Sequence, residues 1–169
     1  MKEIGIRELD VNMYSMIADN WPLLTSGNKE NGYNTMTISW GHIGSIWGHN
    51  MPTVIAYVRP QRYTKQFMDK NEYFTLSILD EKYKKELAYL GSHSGKDEDK
   101  IANAGLHVEF FENTTYIKES DIVLVCRKVY QDSLKEECFK DYEVMDKAYP
   151  NRDFHDFYVG EIVKILIKD

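Results

Sequence analysis

Residues 33–40 read Tyr-Asn-Thr-Met-Thr-Ile-Ser-Trp, and their alternation is the strongest pointer to fold class in the chain. At a two-residue period Tyr33, Thr35, Thr37 and Ser39 share one face of a strand, a row of hydroxyls, while Asn34, Met36, Ile38 and Trp40 share the other. The segment that follows, GHIGSIWGHN (41–50), carries three glycines and predicts an irregular connection. TVIAYV (53–58) reads as a short buried strand and YFTLSIL (73–79) as another. Between them TKQFMDKN (64–71) predicts a short helix capped by Thr64. Upstream, residues 11–20 suit a short helix before Trp21.

Further along, Glu81 to Leu90 is helical in pattern, with Leu87 and Leu90 on one side and Gly91 as the expected terminator. Asp97 to Ala104 predicts a second short helix, stopped by Gly105. Leu106 to Phe111, Asp121 to Tyr130 and Tyr158 to Ile167 have strand composition, and Asp132 to Phe139 suits a helical turn. Strands outnumber helices, and the helices are short and clustered mid-chain. That order argues against a βαβ repeat and for a mainly β antiparallel barrel with small helical insertions. No repeat or linker divides the 169 residues, so residues 1–169 are expected to form one domain.

Composition narrows the function classes. Twenty-one Lys plus Arg against 27 Asp plus Glu leave a net charge of −6, which argues against broad binding to nucleic acid or an anionic membrane. The two cysteines, Cys126 and Cys138, make neither a disulfide scaffold nor a zinc motif. With no apolar leader and no membrane-length apolar run, a cytoplasmic domain is the expectation. The five histidines form no close ligand pair, so no metal site is expected.

Two segments suit an anion. GSHSGKD (91–97) fails as a phosphate-binding P-loop: its glycines lie one residue too close, Asp97 replaces the magnesium-binding hydroxyl, and a helix precedes it. Its local chemistry, Ser92, Ser94, the Gly95 amide, Lys96 and Lys100 near a helix start, is nevertheless that of an anion site, with a solvated polar loop as the alternative. RPQRYT (59–64) puts two arginines at a strand end before a helix, and surface ion pairing is the alternative there. GHIGSIWG lacks the spacing of a dinucleotide turn. His155, between Asp153 and Asp156, could be an oriented proton donor or a structural histidine.

Five blocks in order, NTMTISWGHIG (34–44), YVRPQRYT (57–64), GSHSGKDEDK (91–100), VCRK (125–128) and HDFYVGEI (155–162), resemble the flavin reductase-like family, most closely its flavoredoxin-like branch, and span nearly the whole chain. The resemblance implies an FMN-binding split barrel of six or seven antiparallel strands, homodimeric, with FMN near the subunit interface. It implies that Asn34, Thr35, Met36, Thr37 and Ser39, with Trp40 and the turn after it, line the flavin. Arg59, Arg62, Tyr63 and Thr64, and separately Ser92, Ser94, Gly95 and Lys100, match blocks that the family places near the ribityl chain and phosphate. His155 matches a position near the ring, with a supporting role in nicotinamide contact or proton supply. The implied activity is an NAD(P)H-dependent flavin reductase, hydride passing from NADH or NADPH to the flavin. The competing expectations are an FMN electron carrier served by a redox protein partner, and a related barrel holding haem or pyridoxal phosphate.

Overall fold

The computed structural model describes residues 1–169. The strands are β1 (Lys2–Ile4), β2 (Leu23–Asn28), β3 (Gly32–Thr37), β4 (Gly41–Ser45), β5 (Pro52–Val58), β6 (Tyr73–Ile78), β7 (Val108–Phe111), β8 (Thr114–Ile117), β9 (Ile122–Ser133) and β10 (Asp156–Ile167). Five short helices interrupt them: α1 (Met13–Ala18), α2 (Lys65–Lys70), α3 (Lys84–Ser92), α4 (Lys100–Asn103) and α5 (Tyr142–Ala148).

Eight strands make one antiparallel sheet in the order β3-β2-β6-β9-β10-β5-β4, with β1 added beside β10. β10 is long enough to serve two neighbours on one edge: Asp156–Glu161 pairs with β5, and Ile165–Ile167 pairs with β1. Its other edge follows β9 throughout, with a register shift between Val159 and Gly160. A Cβ on Gly160 would lie 2.6 Å from the Phe74 ring and 2.9 Å from the Cys126 Cβ. The missing side chain is what lets the ring pack against the backbone there.

The terminal strands β3 and β4 do not pair, yet Met36 of β3 and Ile43 of β4 meet in one core with Leu24, Phe74, Leu124 and Tyr158. The sheet is therefore rolled into a barrel split between β3 and β4. Residues 38–40 cross that split. Outside the barrel wall, Leu23, Leu79, Leu87, Leu90, Ile101 and Ile117 form a second cluster in which α3, α4 and β8 cover β2. β2 and β6 are thus buried on both faces, and their hydroxyls bond inward: Thr25 Oγ1 donates to Thr35 Oγ1 at 2.9 Å, and Thr75 Oγ1 to the Thr115 carbonyl at 2.7 Å.

Several expectations are corrected. Residues 41–45 are a regular strand paired with β5, and Gly41 lies close against the Ile55 carbonyl and Ile17. Gly91 lies inside α3, which continues to Ser92; its bare Cα lets the helix approach Thr37, 3.3 Å from where a Cβ would stand. The Thr64 side chain makes no cap; its hydroxyl accepts from Asn34 instead. The second mid-chain helix shrinks to Lys100–Asn103, capped by Asp99. β1, β2, β8 and α5 had no sequence expectation; the rolled path itself has seven strands, and β1 is added beside β10 off that path.

Candidate functional site

The C-terminus of α3, the loop 93–99 and the first residue of α4 wrap around the turn between β5 and α2. Thr37 Oγ1 donates to the Leu87 carbonyl at 2.5 Å and fixes α3 against β3. Arg62 Nη1 donates to the Gly91 carbonyl at 3.1 Å, and Asn34 Nδ2 to Thr64 Oγ1 at 2.9 Å. Three separate stretches of chain are thereby joined around a pocket of about 80 Å³. That is room for two or three water-sized groups, given about 30 Å³ per water. Ser94, Gly95, Arg62, Thr64 and Lys100 line it, with Asn34 at its floor. A Cβ on Gly95 would meet Asn34 Oδ1 at 2.1 Å, so the loop closes on Asn34 only because residue 95 is glycine.

Lys100 is 3% exposed, and its ammonium donates to the carbonyls of Leu90 (2.7 Å) and His93 (2.9 Å). No carboxylate pairs with it. Glu98 is held elsewhere, accepting from the Tyr89 hydroxyl at 2.8 Å and Asn103 Nδ2 at 2.7 Å. Burial, with the Arg62 charge acting in the same direction, pushes the Lys100 amine down to about 8. Two cations facing one small cavity, one of them buried and unpaired, describe a site for an anion.

Met36 and Arg62 also line a neighbouring cleft of about 260 Å³ at the barrel split. Its walls include Thr37, Ser39, Trp40, Tyr57, Arg59 and His155. Arg59 is committed to structure: it donates to Asp153 Oδ2 (2.5 Å) and the Ala148 carbonyl (2.9 Å), and lies 5.1 Å from the Tyr149 ring centroid. It ties the excursion between β9 and β10 to the end of β5. His155 Nδ1 lies 2.8 Å from the Tyr149 hydroxyl. That bond anchors the ring in the cleft wall. Burial first, and the Arg59 charge second, push His155 down to about 4. The imidazole is neutral at neutral pH.

Ser39, Trp40 and Tyr57 connect this cleft to an open groove of about 800 Å³. Met13, Tyr14, Ile17, Trp21, Ile43 and Tyr149 give the groove an apolar wall with no lysine or arginine in it. A phosphate-sized cationic pocket, an aromatic-sided cleft and an apolar groove thus run in series.

The structure brings the two anion segments together with Asn34 and Met36 around one pocket. It does not bring every named residue to the cavity. Thr35 is fully buried and bonded to Thr25 and the Leu24 carbonyl, on the face of β3 away from the pocket. Tyr63 lines the pocket while packing edge-on to Phe67, and Ser92 Oγ is turned back to the carbonyls of α3. Tyr57, Gln61 and His93 line the cavities without having been named. Tyr57 and Gln61 lie inside the YVRPQRYT block, which was the available signal; nothing in the sequence marked His93 beyond its neighbours.

The family described as flavin reductase like domain matches residues 13–169. Flavoredoxin of Desulfovibrio vulgaris (Miyazaki F) is 20% identical with a TM-score of 0.69, covering 100% of this chain and 78% of its own. Flavoredoxin from Methanosarcina acetivorans is 23% identical at 0.67, covering 95% and 75%. Nitrilotriacetate monooxygenase component B from Bacillus cereus is 19% identical at 0.68, covering 100% and 82%. At these identities the likeness to the solved structures is one of fold. No curated protein matches the chain.

Proposed function

The chain belongs to the flavin reductase-like family, and from that premise we propose that it is an FMN flavoprotein that oxidises NADH or NADPH. The observation that carries the reading is the anion pocket opening directly into an aromatic-sided cleft, through the shared residues Met36 and Arg62. The residues present fit the cofactor: a buried unpaired cation suits a phosphate, and the closure of Gly95 on Asn34 leaves space of that size. Arg62, Lys100, Ser94, Thr64 and the Gly95 amide would hold the phosphate and the polar chain next to it. Met36, Thr37, Ser39 and Trp40 would line the flavin, with Asn34 at the junction. When bound, FMN supplies two-electron redox chemistry that no side chain offers.

The remaining work is done by the chain's own groups. Arg59 and Tyr149 hold Trp40 and His155 in place as walls of the cleft. His155, neutral and tied to the Tyr149 hydroxyl, would contact the nicotinamide. It is not an imidazolium proton source at neutral pH.

One observation favours a carrier instead. The groove has no cation to meet a dinucleotide's diphosphate. In that reading a redox protein partner delivers the electrons. Anaerobic stopped-flow mixing of FMN-loaded protein with NADH or NADPH separates the two. Bleaching of the flavin band within the turnover time is the result expected of a reductase; no bleaching with either nucleotide leaves the carrier.

A homodimer follows from the same surface. Tyr14 is 77% exposed, with Trp21 and Trp40 also open along the groove. Such a concentration of rings suits a second copy of the chain. No helix is long and apolar enough to cross a membrane, and two unpaired cysteines accord with a cytoplasmic setting.

A further inference from the structure

The anion pocket contains a cation with an unusual choice of partners. Lys100 Nζ donates to two backbone carbonyls, Leu90 at the end of α3 and His93 just beyond it. An ammonium has three donors, whereas a neutral amine has two donors and one lone pair. Either protonation state therefore satisfies both carbonyls and keeps the loop in shape. What changes on losing a proton is the third position, on a side chain that lines the pocket. There a donor becomes a lone pair, and an attraction for an anion becomes a repulsion.

The surrounding titratable groups come from three segments. The turn between β5 and α2 contributes Arg62 and the Tyr63 hydroxyl; α3 and its cap contribute Tyr89 and His93; the loop contributes Lys96, Asp97, Glu98 and Asp99. β3 contributes only the neutral Asn34 and Met36. Arg62 opposes the charge on Lys100, as burial does, and Glu98 supports it. Glu98 is tied to Tyr89 and Asn103 and Asp99 to the start of α4, while Asp97, in the same loop, makes no ion pair with the amine.

We propose that Lys100 makes anion capture at this pocket proton-linked: a phosphate monoester binds with Lys100 as an ammonium and is released when that proton is lost, while the loop keeps its fold. In the empty pocket the amine sits near 8, and a bound dianion holds the proton more tightly. Above that value, binding requires proton uptake, so affinity falls with rising pH. The inference rests on the flavin reading of the site, because FMN is the phosphate monoester used to test it.

The experiment is a fluorescence titration of apoprotein with FMN and, in parallel, with riboflavin, from about pH 7 to about pH 9.5. Over that window the FMN phosphate stays dianionic, its second pKa being about 6. FMN affinity is expected to be level to about pH 8 and then to fall, approaching about tenfold per unit. Riboflavin, which has no phosphate, should give a flat profile. Lys100→Arg keeps its charge throughout and should abolish the slope, and Lys100→Met should abolish it with weaker FMN binding at pH 7. A flat FMN profile in the wild-type protein, the same slope with riboflavin, or the same slope in either variant would overturn the proposal. The wild-type comparison needs no variant to fold. FMN binding at no pH overturns the flavin reading as well, whereas FMN binding with a flat profile overturns only the role of Lys100.

Discussion

His155 is 8% exposed and faces the Arg59 guanidinium, and both conditions disfavour its charged form. Its folded pKa, about 4, lies below its ordinary value of 6.5. The stability this group contributes is therefore complete above about pH 6.5 and is lost as pH falls toward 4, reaching about 2 kcal/mol by pH 5. His155→Asn should retain FMN, change the rate of flavin reduction, and show a smaller loss of denaturation midpoint between pH 7 and pH 5 than the wild type. An equal loss in both proteins would contradict the assignment. Arg62→Ala removes a charge-assisted donor from the anion pocket and should weaken FMN by about 1–3 kcal/mol, read by fluorescence titration. Gly95→Ala forces the Asn34 amide aside and breaks its bond to Thr64, so flavin retention should fall there too. Unchanged retention in both variants would remove the phosphate assignment.

Elements differed in how far they could be read in advance. The strand containing Met36, β5, β6, β9 and β10 announced themselves through β-branched and aromatic content, and Asn34, Met36 and the two anion blocks were legible as chemistry. β2 was not, because LLTSGN is covered on both faces, by the core and by α3 with β8, so it shows no alternation. β4 was missed because its glycines suggest a turn, whereas the packing of Ile17 against Gly41 is a long-range fact. Thr35 turns away from the barrel core, toward the layer that covers β2, because Asn34 and Met36 take the opposite face of the strand. Gly160 shows the same dependence on distant partners. Gly160→Ala places a methyl 2.6 Å from the Phe74 ring at a register shift, and should destabilise the fold by about 1–3 kcal/mol in a denaturant titration. An unchanged midpoint would mean that β9 and β10 pack differently.

At the scale of the molecule, the barrel split between β3 and β4 does the positioning. One chain segment, residues 36–40, leaves the anion pocket, crosses the split and forms the edge of the apolar groove, so the three cavities are ordered by covalent connection. The exposed rings at the groove mouth predict that light scattering will give twice the chain mass of 19.8 kDa, and that Tyr14→Asp will shift it toward the single-chain value. A single-chain mass for the wild type would contradict the dimer. The pocket between Arg62, Gly95 and Lys100 is the predicted seat of the cofactor's phosphate. A crystal structure of the FMN-loaded protein tests it most directly. The expected result is phosphorus density in that pocket with the ring density running past Met36 toward Trp40; phosphorus density elsewhere, with the pocket holding only solvent, would contradict it.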